Sequence, residues 1–307
     1  MIKFNLPDFI EGYLVYKNYV ELRKRYPEVF WDDTVISSVY GTFPNSVWNG
    51  GSIYVGGATY TYKYMRSKIE EYNSWGIAIR IIATNPLIEK HHLYDTYANC
   101  IMDAANTGVN EVVVNSPLLE DYLRDKYPNF KYVKSILSSY STNTPVNLDD
   151  KYYMSCMMRA VNNNWGYLDK IPPEQRHKVE FLCTDPCPDN CPRIATHYLQ
   201  MAEQQLNFLK DGSDKPNDCN MAQLKNLSIH YMRTLDCYID RDKIIKDYVP
   251  RGYCNFKVSG RFNVGSIATG LANYLIKPEY FDDWYELIIV NLSNRGYSGW
   301  VRVSEAY

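Results

Sequence analysis

Short apolar runs alternate with longer amphipathic segments along most of this 307-residue chain. Apolar residues recur at helical spacing between residues 8 and 30, which predicts a leading N-terminal helix. A run rich in β-branched residues follows at 34–40 and ends at Gly41, which predicts the first strand. The same alternation of helix and strand patterns continues toward the end of the chain.

Seven more strands are predicted from apolar or β-branched stretches in the rest of the chain. They cover residues 77–83, 111–115, 131–137, 153–161, 178–183, 229–237 and 255–258. Helical patterns lie between and after these strands, at 60–75, 91–107, 117–126, 165–175, 193–210, 240–248, 263–275 and 277–290. We expect the last two helices to cover the C-terminal side of the fold.

Eight strands that alternate with helices predict an α/β protein with a (β/α)8, TIM-like barrel. Near-continuous apolar strands are typical of a parallel sheet that is covered on both faces, and a chain of about 300 residues suits a closed barrel. No glycine-rich phosphate-binding pattern opens an early strand–helix turn, which disfavours a Rossmann fold. Because we find neither a linker nor an internal repeat, we expect one domain over residues 1–307.

In a barrel of this kind, the functional residues lie on the loops that follow the carboxyl ends of the strands. Polar segments follow the predicted strands at 41–57, 84–86, 115–117, 138–141, 162–164, 183–192 and 259–261. Several of them carry asparagine, whose amide could bind a planar ligand but which also favours turns. From these loops we select Trp48, Asn85 and Asn115 as candidate substrate-binding residues.

Two arginines are candidates for binding an anionic group on a substrate. Arg80 lies in a predicted strand, and Arg261 follows the last one. A guanidinium suits this role because its planar fork binds carboxylate or phosphate through two hydrogen bonds. A salt bridge within the protein is the alternative for each of them.

The segment CTDPCPDNCP, at 183–192, places a cysteine at every fourth position. Cys183 ends a predicted strand and follows an apolar residue, so we interpret it as a packed core residue. Cys187 and Cys191 lie in a proline-rich loop, and proline limits the conformations of such a loop before any metal binds. The two loop thiols could therefore begin a metal site.

Zinc and iron–sulfur sites usually take four protein ligands, so the two loop thiols need partners. The candidates are Cys219, Cys237, Cys254 and His197. An all-thiolate site suits either an iron–sulfur cluster or zinc, and the spacing of the cysteines does not separate the two. Cys100 and Cys156 lie in apolar or helical contexts and are expected to be structural.

Two stretches resemble a known family. Phe181–Cys191 resembles the strand that leads into the first cluster cysteines of the peptidase U32 family. The segment Thr234–Cys237, followed by a helix and then by Phe256–Arg261, resembles that family's cysteine strand and its Phe-Lys-Ile-Glu-Gly-Arg signature. Gly108–Pro117 is similar to its third strand and turn, and the resemblance continues along most of the chain.

The resemblance implies a barrel with a cysteine-bound [4Fe-4S] cluster, with zinc as the alternative metal. Carried over residue by residue, the four ligands are Cys187, Cys191, Cys219 and Cys237. Lys257 and Arg261, in the signature stretch, become the candidate catalytic residues. Two features depart from the family: the gap between the first two cysteines is shorter, and Ser259 replaces the glutamate of the signature.

The family resemblance implies an enzyme that carries out oxygen-independent hydroxylation of RNA or of a small planar molecule. Two alternatives stay open: a U32-type peptidase, and a non-catalytic, metal-stabilised barrel that binds a ligand or a partner protein. The motifs Gly-x-Ser-x-Gly, His-Glu-x-x-His and the P-loop are all missing from the sequence. Hydrolysis is therefore ranked below cluster-dependent modification.

Charge and composition narrow the partners and the compartment. The formal net charge is −2, so no overall basic field favours nucleic acid or an anionic membrane, although local patches remain possible. No run approaches the roughly 18 apolar residues of a membrane span, and the first residues lack a signal-peptide pattern. Eight cysteines in such a chain are more typical of reduced or metal-bound thiols than of disulfides. We expect a cytoplasmic protein.

Overall fold

The computed structural model of the protein describes residues 1–51, 54, 56, 59–185, 187, 191–213, 229–260 and 264–293. Within this part of the chain, parallel strands pair in chain order and the last pairs with the first, which closes a barrel. The strands are β1 Ile2–Pro7, β2 Thr34–Gly41, β3 Ala78–Ala83, β4 Glu111–Val114, β5 Lys131–Lys134, β6 Met154–Cys156, β7 Val179–Leu182 and β8 Asn255–Lys257. The predicted (β/α)8, TIM-like barrel is confirmed, whereas the prediction of one domain over 1–307 stays a prediction.

Helices lie outside the barrel and connect its strands. They are α1 Tyr13–Arg25, α2 Tyr62–Ser74, α3 Thr96–Ala105, α4 Pro117–Lys126, α5 Ile136–Thr142, α6 Trp165–Leu168, α7 Ile194–Asp211, α8 Ile229–Arg233, α9 Arg241–Lys243, α10 Val264–Leu275 and α11 Phe281–Ser293. Short 3₁₀ turns occur at Pro27–Val29, Lys90–Tyr94, Arg159–Val161, Pro173–Lys178, Val249–Arg251 and Pro278–Tyr280, and a π turn at Ile244–Tyr248. None of the helices in the described ranges is long and apolar enough to cross a membrane.

The barrel begins one strand earlier than the sequence pattern predicted. Residues 2–7 form β1, where no strand was expected, so the helix predicted at 8–30 follows a strand and does not lead the fold. The strand predicted at 229–237 is wrong, because a helix, α8, occupies the first part of that segment. The predicted total of eight strands was therefore reached with one missed strand and one false one.

Strand β1 is hard to recognise because its two faces differ. Phe4 packs into the apolar core, whereas Asn5 binds polar groups from two other strands. Alternation of this kind is typical of a strand with one apolar and one polar face. The run is short and ends in proline, which weakens the sequence signal.

Serine residues directly after strands begin two of the helices. The Ser116 hydroxyl accepts a hydrogen bond from the Leu119 amide (3.4 Å), and the Ser135 hydroxyl accepts one from the Leu137 amide (3.2 Å). These bonds satisfy amides that have no partner within the helix itself. The predicted strand at 131–137 consequently ends at Lys134, and residues 138–141, predicted as a loop, lie in α5.

Most of the apolar core lies between the strands and the surrounding helices. A smaller apolar cluster of Val113, Val133, Met154 and Cys156 is separate from it and comes from β4, β5 and β6. Around this small cluster, several strands carry buried polar or charged side chains, including Arg80 and Glu180. The barrel interior is therefore partly ionic, and this mixed interior forms the floor of the site.

Candidate functional site

A pocket opens where the carboxyl ends of the strands meet. It contains about 930 Å³ of empty space, a volume that includes its open mouth. The apolar lining residues include Ile82, Val113, Ile136, Leu137 and Leu182. The polar lining residues include Asp8, Tyr40, Thr42, Thr84 and Lys257. The pocket therefore presents an apolar part and a polar part to a ligand.

The predicted catalytic residue Lys257 lines this pocket. Its Nζ atom lies 3.9 Å from the centroid of the Tyr40 ring, and the Tyr40 hydroxyl donates to the Val258 carbonyl (2.8 Å). A cation over an aromatic face is stabilised by the ring's quadrupole. Strand β1 lies between the two strands that carry these side chains, so the lysine reaches across it.

An ion cluster lies in the barrel interior next to Cys156, which lines the pocket. Arg80 binds Glu111 (Nε to Oε2, 2.5 Å) and also binds Glu180. Glu180 accepts further hydrogen bonds from the Asn5 amide (2.6 Å) and from the Cys156 thiol (2.9 Å). These contacts join β1, β3, β4, β6 and β7 inside the barrel.

The ion cluster shifts the pKa values of two groups in opposite directions. Burial alone would raise the pKa of Glu180, but Arg80 and Lys257, together with its hydrogen bonds, hold that pKa below the usual value. Burial and the neighbouring Glu180 carboxylate raise the pKa of the Cys156 thiol. At neutral pH the interior therefore contains an ionised carboxylate beside a protonated thiol.

Arg80, predicted to bind a substrate anion, lies within this cluster. Its guanidinium is completely buried and binds two carboxylates of the protein itself. The position of Arg80 therefore matches the alternative interpretation from the sequence, a salt bridge within the protein. No signal in the sequence paired it with Glu180, which is 100 residues away along the chain.

Two hydroxyls in the pocket were missed by the sequence analysis. Thr42 and Thr84 directly follow β2 and β3 and are only 4% and 3% exposed. Neither Oγ1 atom has a hydrogen-bond partner within the part of the chain that the structure describes. Both lie in loops that the sequence singled out, but their burial becomes visible only in the tertiary structure.

Asn85, predicted to bind substrate, fixes the loop after β2 instead. Its side-chain amide donates to the carbonyls of Val47 and Asn49 (both 3.3 Å) and of Ala202 (3.4 Å). The backbone at Gly50 passes so close to this asparagine that a Cβ atom on residue 50 would lie 2.4 Å from the Asn85 Cα. The asparagine thus ties the glycine-containing loop and α7 to the end of β3.

Trp48 and Asn115, the other predicted ligand-binding residues, also bind the protein backbone. The Trp48 indole donates to the His92 carbonyl (2.9 Å), and its side chain is buried. The Asn115 amide donates to the Thr84 carbonyl at the longer distance of 3.5 Å. Of the predicted site residues in the described ranges, Lys257 is the one that lines the pocket.

The cysteine segment lies beside the loop after β6. Arg159 donates to the Cys187 carbonyl (2.6 Å) and pairs with Asp185 (3.3 Å). Asn162, which ends the same turn, donates to the Cys237 carbonyl (2.9 Å). One short turn therefore holds the backbones of two cysteines that the family resemblance selected as metal ligands.

The rest of the predicted metal site is only partly described. Cys219 and the predicted catalytic residue Arg261 lie outside the described residues. Among the residues the structure describes, no three His, Cys, Asp or Glu side chains form a group that could hold a metal ion. Cys183 is buried in the core, as expected from the sequence. The described thiols by themselves do not complete a site for a cluster or for zinc.

Comparisons with known proteins add little beyond the fold. No family profile matches the chain, and no curated protein matches it. One solved structure, of the U32 peptidase Mk0906, aligns with 74% of this chain and 86% of its own, at 11% identity and a TM-score of 0.44. Another, the C-terminal domain of a chitinase-like protein from Desulfitobacterium hafniense DCB-2, aligns over 69% and 63% of the two chains, at 11% identity and a TM-score of 0.27.

The fold and the pocket define a (β/α)8 barrel protein with a cavity at the usual functional face. The first of the two solved structures belongs to the family that the sequence motifs resemble. Both alignments have TM-scores below 0.5, so the fold assignment rests on the strand pairing and not on them.

Proposed function

We propose that this protein is a barrel enzyme that modifies a small, partly apolar molecule held in the pocket at the carboxyl ends of the strands. The observation that supports this most directly is the position of Lys257, which lines one cavity together with polar residues such as Thr42 and apolar residues such as Ile82. Barrel enzymes place their functional groups at this face.

Lys257 is the residue to which we assign the central role. An ammonium group donates hydrogen bonds and attracts the negative charge that develops on an oxygen atom during a reaction. Glu180, which lies near it and is itself held by Arg80, keeps the floor of the site charged and ordered. The apolar residues that line the pocket would exclude water from the reacting part of the substrate.

The cofactor we propose is the [4Fe-4S] cluster implied by the family resemblance, with zinc as the alternative metal. The turn of Arg159 and Asn162, which binds the backbones of Cys187 and Cys237, supports this proposal. A bound iron–sulfur cluster would supply one-electron transfer. Because the described thiols do not complete the site, we derive no step of the reaction through it.

Anaerobic purification followed by iron, sulfide and zinc analysis tests the cofactor. We expect Cys187→Ala and Cys237→Ala each to lose the metal, whereas Cys100→Ala, on α3, keeps it. A protein that binds neither iron nor zinc when purified anaerobically would refute the metal site. A protein with one equivalent of zinc and no iron would refute the cluster and support the metal-stabilised barrel.

The reaction itself is tested by mass spectrometry of small aromatic molecules and of RNA after anaerobic incubation with the metal-loaded protein. The finer proposal, oxygen-independent hydroxylation, takes the oxygen atom from water and passes two electrons to an added electron acceptor, with release of two protons. It therefore predicts gain of one oxygen atom by a small molecule when such an acceptor is present, and Lys257→Met should abolish it. Cleavage of a peptide panel by the wild-type protein but not by the Lys257→Met variant would instead support the peptidase alternative.

A further inference from the structure

Two buried hydroxyls in the pocket have unused hydrogen-bonding capacity. Thr42 and Thr84 line the cavity, and their buried Oγ1 atoms have no hydrogen-bond partner among the described residues. A buried hydroxyl without a partner destabilises the folded protein, so such groups are few in native structures. Thr42 and Thr84 follow adjacent strands and line one cavity. A ligand atom that binds both hydroxyls would give each of them a partner.

Thr42, Thr84 and Lys257 all line the same pocket. Tyr40 and Thr42 are two residues apart on β2 and its extension, so both side chains face the barrel interior. Ile82 and Thr84 have the same relationship at the end of β3. The Lys257 Nζ atom lies 3.9 Å from the centroid of the Tyr40 ring, and Lys257 lines the same pocket as the two threonines.

The two acidic side chains in the pocket already accept hydrogen bonds from the protein. Asp8 Oδ1 accepts from the amides of Ile10 (3.2 Å) and Glu11 (3.0 Å). Asp185 Oδ1 accepts from the Cys187 amide (2.8 Å) and pairs with Arg159. These bonds hold the carboxylates in place and offset their negative charge at the edge of the pocket.

We propose that Thr42, Thr84 and Lys257 bind a carboxylate group of the substrate. The ammonium group supplies the opposite charge, and the two hydroxyls donate to the carboxylate oxygens. The rest of the substrate then lies against the apolar lining, which includes Ile82 and Leu182. The substrate class is therefore a small carboxylic acid with an apolar body, and this inference rests on the proposed function.

Benzoate and benzamide are suitable probes because they share one apolar body and differ in charge. Isothermal titration of the full-length protein should show benzoate binding at least about tenfold more tightly than benzamide. Inorganic phosphate, which has no apolar body, should bind no better than benzamide. Equal affinities for benzoate and benzamide would overturn the proposal, as would tighter binding of phosphate than of benzoate.

The threonine variants separate a binding role from a structural one. Thr42→Val and Thr84→Val remove a hydroxyl at nearly constant volume, so each should weaken benzoate binding by about fivefold to tenfold. In the same variants without ligand, removal of an unpaired buried hydroxyl should raise Tm by roughly 2 °C. A lower Tm with unchanged benzoate affinity would mean that the hydroxyls are structural, and would overturn the proposal.

Lys257→Met should reduce benzoate affinity by more than either threonine variant. Lys134→Met is the control, because Lys134 is a strand lysine that pairs with Glu120 (3.3 Å) but does not line the pocket. It should leave benzoate affinity unchanged even if Tm falls. If Lys257→Met does not fold, the threonine variants still decide the question. If the protein binds benzoate but contains no metal and turns over no substrate, the proposed enzyme is refuted, whereas the carboxylate site is supported.

Discussion

Arg80 on β3 binds the carboxylate of Glu180 on β7 across the interior of the barrel. The two side chains are 0% and 1% exposed, and neither strand is a neighbour of the other in the sheet. Glu180 also binds Cys156, which lines the pocket. Loss of this ion pair should therefore affect both the stability of the barrel and the floor of the candidate site.

Glu180→Gln should destabilise the protein by about 3–5 kcal/mol, because the buried Arg80 charge loses one of its two carboxylate partners. The free energy of unfolding from urea titration at neutral pH measures the loss. Glu70→Gln is the control: it removes a partly exposed helix pair with Arg66, and we expect a change of at most about 0.5 kcal/mol. A loss as small as that of the control would contradict a stabilising role for the interior pair.

Acid should weaken the wild-type protein more than the Glu180→Gln variant. The pKa of Glu180 is lowered in the folded state, so the stability it contributes is present above the unfolded pKa of about 4.3 and is lost as the pH falls through the folded pKa. Urea titrations between about pH 5 and pH 3 should therefore show a steeper loss for the wild type. If the free energy of unfolding falls equally steeply with pH in the two proteins, the pKa of Glu180 is not lowered in the folded state.

Gly50→Ala should disturb the loop over the pocket, whereas Gly51→Ala should not. A Cβ atom at Gly50 would lie 2.4 Å from the Asn85 Cα, so the loop must move, at a cost of about 1–3 kcal/mol. At Gly51 the nearest atom, Thr84 Oγ1, is at an ordinary distance of 3.5 Å, and a change within about 0.5 kcal/mol is expected. Thermal unfolding of both variants tests the difference, and equal Tm values would contradict the close approach.

Cys156 should react slowly with iodoacetamide in the folded protein. Burial and the Glu180 carboxylate raise its pKa, so the reactive thiolate is scarce at neutral pH, and the side chain is largely shielded. Cys254, which is partly exposed, should be alkylated first. Peptide mass spectrometry over time gives both rates, and in urea the two should become similar. Rapid native labelling of Cys156 would show that its pKa is not raised.

The repetition of apolar strands and amphipathic helices by itself determined that this chain forms a (β/α)8 barrel. Strands such as β3 and β4 have apolar runs long enough to be recognised alone, and α4 begins with a serine–proline signal at the predicted residue. Lys257, which lines the pocket, was selected from the sequence as well, because it lies in the stretch that resembles the family signature.

Only the tertiary structure decided which strands close the barrel and which residues form the pocket. β1 has one polar face because it faces an ionic interior, and that interior exists only once Arg80, Glu111 and Glu180 come together. The burial of Thr42 and Thr84 likewise depends on loops and strands that are distant along the chain. Local patterns determine helices and strands through short-range periodicity, whereas burial and charge pairing depend on contacts between distant residues that no local pattern contains.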